Sequence, residues 1–376
     1  MKKNIKIISV IILLHFFSLS CLEDSVQPEL NIELENGAEL LRLIESRGDY
    51  LNSDESPALI TASELFNNLN NYLIIDVRDS TNYLTGFIEG SVNLNPKDIL
   101  SYFDSINTNA FEKIILVSST GEAAAYCNAC LRYAGFNNTF TLRFGMASWN
   151  QNFSNIWKNS LGSINTNWEF TRRNYEKSEF SSLPILEFQQ SDLPITDKLR
   201  ERVQALLNNG FQERQVNGGI LLPKSFNSGL SSEYDPTITM KDLYSNFNKI
   251  DSTFGEYFII CFGREQVYYP AVGSNIESPS HPPNSVWYRF PIIPETRTIS
   301  MLQTIPNDKT IAIYSAAGYN SASLTALLRI LGYNAKSILF GAHNFHYYFI
   351  STGEDFGMVY FRDQYIEDYP YVLGGD

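Results

Sequence analysis

The sequence predicts an α/β protein made of two tandem domains, each a parallel sheet flanked by helices. Residues 114–136 (IILVSSTGEAAAYCNACLRYAGF) return as residues 311–333 (IAIYSAAGYNSASLTALLRILGY) at a constant offset of 197. Ser118 lies over Ser315, Gly121 over Gly318, Leu131-Arg132 over Leu328-Arg329, and Gly135 over Gly332. Each copy runs from an apolar β stretch through a small-residue loop into an amphipathic helix. That is the pattern of a buried parallel strand feeding a helix N-terminus. The 376 residues, 44% of them hydrophobic, supply enough apolar surface for two or three domains.

Taken in order, the chain opens with a targeting segment at 1–20. Lys2, Lys3 and Lys6 form its basic region, Ile7 to Leu19 its apolar region, and Ser18-Leu19-Ser20 precedes Cys21. The apolar run falls short of the ~18–20 residues of a membrane span. A small residue directly before a Cys here resembles the lipobox of bacterial lipoproteins. The resemblance implies cleavage before Cys21, lipidation of its thiol, and a place in the bacterial cell envelope, on the periplasmic or the external face. An ordinary cleaved secretory signal is the alternative.

Residues 21–59 read as a polar tether followed by one helix. GAELLRLIESRGDYL at 37–51 puts Leu40, Leu41 and Ile44 on one face. The first domain spans 60–155. It begins with a helix at 61–69 capped by Thr61, with Glu64 three residues on. A strand follows at Leu73 to Val77, then a loop and short strand, the repeated core segment, a last strand at Phe140 to Phe144, and a buried Trp149. Residues 156–234 read as a polar linker carrying one amphipathic helix at 196–210, capped by Thr196 and ended by Gly210. The second domain spans 235–376. It opens with a helix at 239–247, continues through YFIICFGREQVY at 257–268 and the second core segment, and places its last strand at Ser337 to Phe340. A polar linker between two self-contained cores leads to the expectation that the halves fold separately.

These residues carry a second resemblance. The repeated loop resembles the active-site loop of the rhodanese (thiosulfate sulfurtransferase) family, and the stretch at 73–94 resembles that family's Asp-Val-Arg turn. Asp76, Arg78, Tyr83, Gly86, Ile88 and Gly90 match, with Phe87 in a usual His place. Gly145 to Trp149 resembles the family's closing motif, and Phe345 stands in the Trp place of the second copy. In the second copy Cys261 and Gly263 stand where Asp76 and Arg78 stand in the first, and Tyr268 keeps the Tyr. The resemblance implies two rhodanese-like domains. It also implies a catalytic Cys where this chain has Ser118 and Ser315, and often an Arg where it has Ala123 and Asn320.

That substitution removes the family's chemistry. A rhodanese Cys works as a thiolate stabilised by a helix N-terminus and converging N–H groups. A serine hydroxyl does not ionise near neutral pH and cannot carry a sulfane sulfur. As a nucleophile it needs an adjacent base, and no His occurs between residues 60 and 155. His281, His343 and His346 belong to the second half. A Ser315–His343 pair and a His343/His346 metal site are the two arrangements they allow, the latter without a third ligand. No metal or cofactor is expected. Cys127, Cys130 and Cys261 are an odd count in the mature fold and make no disulfide framework. Cys127 and Cys130 form a CxxC inside the helix rather than at its start, which suits core thiols or a local disulfide.

The cradle that would hold an anion is the remaining candidate site: Ser118, Ser119, Thr120 and Gly121 in the first loop, Ser315 and Gly318 in the second. A loop that holds only water is the alternative. Asp76 and Arg78 are the candidate structural ion pair beneath the first loop. A net charge of −13 argues against nucleic acid. The expected function is a non-catalytic, envelope-anchored module that binds a protein partner or a small anion. An enzyme using some residue other than the missing Cys is the alternative.

Overall fold

A computed structural model describes residues 36–162, 170–177, 179, 182–188, 190–217, 220–221, 234–240, 242–243, 257–269, 281–290, 301–345 and 360–375. The targeting segment, Cys21 and His346 lie outside them, as does most of the helix expected at 239–247.

Helix α1 (Asn36–Ser46) turns Leu40, Leu41 and Ile44 inward, as their spacing predicts. It is shorter than expected. Gly48 and Asp49 take positive φ, and a 3-10 turn at Tyr50–Asn52 replaces the last helical turn. The first sheet holds five parallel strands in the order β1 (Leu59–Ile60), β5 (Thr139–Leu142), β4 (Ile114–Val117), β2 (Leu73–Asp76) and β3 (Val92–Asn93). Its crossovers carry α2 (Ala62–Phe66), α3 (Ser80–Leu84), α4 (Ile99–Ser105) and α5 (Glu122–Ala134). Thr61 caps α2 as expected, its Oγ1 accepting the Glu64 N–H at 3.0 Å. After β5 come α6 (Met146–Trp149), α7 (Asn155–Lys158) and then α8 (Ile195–Asn209). Helix α8 starts one residue earlier than expected, with Pro194 rather than Thr196 at its cap. Pro fits there because the N–H it lacks would have no intrahelical partner.

A two-stranded antiparallel pair, β6 (Val216–Asn217) and β7 (Ile220–Leu221), precedes the second sheet. That sheet is again five parallel strands: β10 (Ser285–Arg289), β9 (Tyr257–Gly263), β11 (Thr310–Tyr314), β12 (Ala335–Ile338) and β8 (Thr237–Ile238). Helix α9 (Glu265–Tyr268) follows β9, and α10 (Tyr319–Ile330) follows β11. Each sheet has one topology, so the repeat read from the core segment extends through the fold.

Register confirms the correspondences. Asp76 pairs with Val117, and Cys261 pairs with Tyr314. Tyr83 donates its hydroxyl to Ser91 O at 2.9 Å, and Tyr268 to Ser285 O at 2.7 Å. Phe87 stacks on Tyr83, and His281 on Tyr268. The repeated Arg has the same task in both halves. Arg132 donates to Thr139 O and Arg329 to Ala335 O, each tying a helix end to the strand that follows.

The halves are one packed unit from Asn36 onward. Helices α5 and α10 lie against one another, and α8, from the expected linker, packs on both. The largest core cluster runs through both repeats, joining Leu131, Leu206, Leu207 and Leu328. Smaller cores cover the outer sheet faces, around Trp149 in the first half and Phe345 in the second. Trp157, also in the expected linker, is fully buried among Phe144, Phe340 and Phe361. The chain's last residues return to the first half. Val372 pairs with Phe87, Tyr369 stacks on Phe66, and Trp149 Nε1 donates to Pro370 O. The reason is apolar area: α5 and α10 are buried nearly all round, and a helix of that kind needs cover on every side.

Candidate functional site

The loops after β4 and β11 are built alike. In the first, Gly145 packs directly on the loop, and a Cβ there would stand 2.1 Å from Ser118 O. Gly341 meets Ser315 O at the same distance. Only glycine permits that approach, and both sit at positive φ. Met146 N–H then bonds Ser118 O, and Ala342 N–H bonds Ser315 O.

The first loop already holds a carboxylate, that of Glu213, from the segment after α8. Ser118 Oγ donates to Glu213 Oε1 at 2.8 Å, Thr120 Oγ1 at 2.6 Å, and the Ala123 N–H at 2.9 Å. The Thr120 N–H donates to Oε2 at 3.0 Å. Of the candidates, Ser118 and Thr120 therefore contact the bound group, and Ala123 joins them. Gly121 spends its N–H on Ser118 Oγ, as does Ala124. The carbonyl of Ser119 accepts from the Ala147 N–H.

Glu122 is the second unforeseen carboxyl. It is wholly buried, and one of its oxygens accepts the Phe340 N–H of the other repeat at 2.8 Å. Burial pushes its carboxyl well above the ordinary range, and the charge of Glu213 adds to the shift. Thr120 Oγ1 lies 3.3 Å from Glu122 Oε2 and 2.6 Å from Glu213 Oε1. It has one proton to give, and the shorter contact takes it. The longer contact is made when Glu122 is protonated and donates, giving a chain Glu122 to Thr120 to Glu213.

Asp76 and Arg78 form a buried fork. Arg78 Nε lies 2.9 Å and Nη2 2.6 Å from the two Asp76 oxygens. The remaining Arg78 donors reach Asn82 O and Gly86 O, so the pair pins the turn after β2. Burial raises the Asp76 carboxyl, and Arg78 opposes that. A cleft of about 470 Å³ lies beside the first loop, edged by Arg78, Asn93, Asn95, Ser118 and Glu213.

The second loop donates no hydrogen bond to a carboxylate among the described residues. Ser315 Oγ accepts the Ser321 N–H and faces Ser321 Oγ. A cleft of about 390 Å³ opens over this loop. Arg143 from the first half, Arg264, Gly263 and Asn320 edge it.

His343 spends its ring on backbone groups. His343 is fully buried. Its Nδ1 bonds Ala316 O at 2.6 Å, and its Nε2 accepts the Phe361 N–H at 3.1 Å, which sets a neutral tautomer. It ties the C-terminal segment to the second loop rather than serving Ser315 as a base. Among the described residues no group of three metal-ligating side chains exists. The three described cysteines, Cys127, Cys130 and Cys261, are buried free thiols, and burial pushes Cys127 up to about 12.

Residues 61–152 match the rhodanese-like domain family. No curated protein matches the chain. Among solved structures, a rhodanese-related protein from Thermoplasma volcanium is similar at 23% identity, covering 24% of this chain and 87% of its own, with TM-score 0.22. A rhodanese-like domain protein from Staphylococcus aureus is similar at 26% identity over 23% and 86%, with TM-score 0.21. An anaerobic ergothioneine biosynthesis enzyme from Chlorobium limicola is similar at 13% identity over 75% and 95%, with TM-score 0.21. At these scores the likenesses carry no inference about activity.

Glu213 could not have been found from the sequence. It lies 95 residues from Ser118 in a segment without periodicity. Glu122 was visible as an acidic residue in a first helical turn, where the dipole favours it. Its burial against the second repeat was not.

Proposed function

We propose that this protein is a non-catalytic rhodanese-like module of the bacterial cell envelope, lipid-anchored through Cys21, that binds a small anion or the acidic group of a protein partner. The observation that carries this reading is the clamp on Glu213. Its donors are oriented for an anion, and none of them is a thiol. Ser118 is no nucleophile despite its contact with a carboxylate. Its oxygen already accepts two backbone N–H bonds while donating to Glu213, so no lone pair remains to attack. Sulfurtransferase activity through another residue finds no support, because Cys127, Cys130 and Cys261 are buried and the Cys127 thiol is raised to about 12.

The second cleft is the open site on this reading. It joins the N-terminus of α10 to two arginines, Arg143 and Arg264, and a guanidinium recognises carboxylate or phosphate through paired N–H donors. Titration with sulfate and with glutarate, followed at the Gly318, Tyr319 and Asn320 amides, tests it. The expected result is saturable binding that Arg143→Ala weakens about tenfold, the loss of one charge-assisted contact. Amides that stay still with both anions would sink the reading. The anchoring proposal rests on the order basic, apolar, small residue, Cys in residues 1–21. Cys21→Ala should release the protein from membranes, and a wild type that takes up no lipid label refutes it.

A further inference from the structure

We propose that the first loop is a gated carboxylate-binding site, in which Glu213 is the resident ligand and a carboxylate from outside the chain replaces it. This inference stands apart from the second cleft and survives its failure.

The donors define the ligand class. Two hydroxyls and two N–H groups converge on the two oxygens of a planar carboxylate. All four are neutral. Arg78, a guanidinium at the edge of the adjoining cleft, spends its fork on Asp76 and two carbonyls. Glu122 behind Thr120 is a buried carboxyl and brings no positive charge. Four neutral donors without a cation suit a single charge, not a phosphate or sulfate dianion.

The resident group is built to leave. Glu213 lies in irregular chain between α8 and β6, and its side chain is only partly buried. The segment is fastened on either side of it. Gly210 N–H bonds Leu206 O, Phe211 packs on Tyr126, and Val216 N–H bonds Ser160 Oγ. Rotation of one side chain therefore vacates the loop while the backbone stays. The adjoining cleft of about 470 Å³ has room for the displaced group and for an arriving ligand. Because Glu213 is tethered, it competes at an effective concentration in the millimolar range, and weak free carboxylates are excluded. Only a ligand with further contacts in the cleft, or one at high local concentration, displaces it.

Glu213→Ala in the full chain removes the two-carbon fragment that acetate restores. Acetate is expected to raise the melting temperature of this variant and to shift its Thr120 and Ala123 amides, at a concentration about tenfold below that needed by the wild type. A folded variant indifferent to acetate overturns the proposal, and so does a wild type that responds at the same concentration. Should Glu213→Ala not fold, Glu213→Gln keeps the side-chain volume without the charge, and the same readouts apply. A capped peptide of residues 210–215 in place of acetate identifies the source. Tighter binding of the peptide assigns the site to an acidic chain segment, and tighter binding of acetate assigns it to a small carboxylate. Either ranking supports the site.

Discussion

Glu122 accepts the backbone N–H of Phe340 at 2.8 Å, and Tyr319 returns the exchange by accepting the N–H of Phe144 at 2.8 Å. Glu122 and Tyr319 are equivalent residues, each the first of its helix after the loop glycine. Each reaches across to the aromatic residue that precedes the closing glycine of the other repeat. The two loops are thus cross-wired by reciprocal bonds in a buried interface. Neither half completes its own loop.

Separated halves should therefore fail. A fragment of residues 36–160 lacks α8, Glu213 and the cover that α10 gives α5. It is expected to bind hydrophobic dye and to unfold without a cooperative transition, whereas residues 36–376 melt in one step. A cooperative, monomeric 36–160 fragment would contradict the interlocked core.

Arg78→Ala should cost about 3–5 kcal/mol, because it strands the buried Asp76 carboxylate without a partner. Arg78→Lys should recover only part of this, since an ammonium cannot span Asp76, Asn82 O and Gly86 O together. Urea unfolding measures both. A loss under about 1 kcal/mol, the worth of an exposed pair, would show that the fork is not structural.

Glu122 should make stability fall as pH rises. Its folded value is raised, so the folded state keeps a proton that the unfolded chain releases above about pH 4.3. Stability is full below that pH and declines towards the folded value. Glu122→Gln keeps an acceptor for Phe340 and supplies a permanent donor for Thr120. Its stability relative to wild type is expected to improve as pH rises above about 4.3. A difference constant with pH would disprove the buried proton.

His343 acts in the opposite direction. Burial lowers it from 6.5 to about 4, so the unfolded chain binds the proton first as pH falls. Stability is lost between those values. His343→Asn keeps a donor for Ala316 O. It should lower stability at neutral pH and flatten the acid limb between pH 6.5 and 4. An unchanged acid limb counts against a neutral buried His343.

The wild type is expected to show no thiosulfate-to-cyanide sulfur transfer. Ser118→Cys alone should also remain poor, because the new thiolate would face Glu213 at hydrogen-bond distance. Adding Glu213→Gln removes that charge and should lower the thiol pKa by about one unit. Alkylation rates against pH compare the two variants, and equal pKa values would show that Glu213 exerts no field on the loop.

The sequence by itself determined the strands, the loops and their repetition, because strand burial and helix amphipathicity are local periodicities. It also made legible the hydroxyls of Ser118 and Ser315 where the family resemblance implies a thiol. Thr61 and the Asp76–Arg78 pair could be placed for the same reason: each acts within a few residues of chain. What fills the first loop was decided only in three dimensions. Glu213 carries no local pattern, and nothing but the packing of α8 on α5 brings it to Ser118. The same holds for the burial of Glu122 against Phe340 and for Trp157 between the repeats. Charges and aromatic rings acquire their roles from what surrounds them, and those surroundings are assembled from chain segments about a hundred or more residues apart.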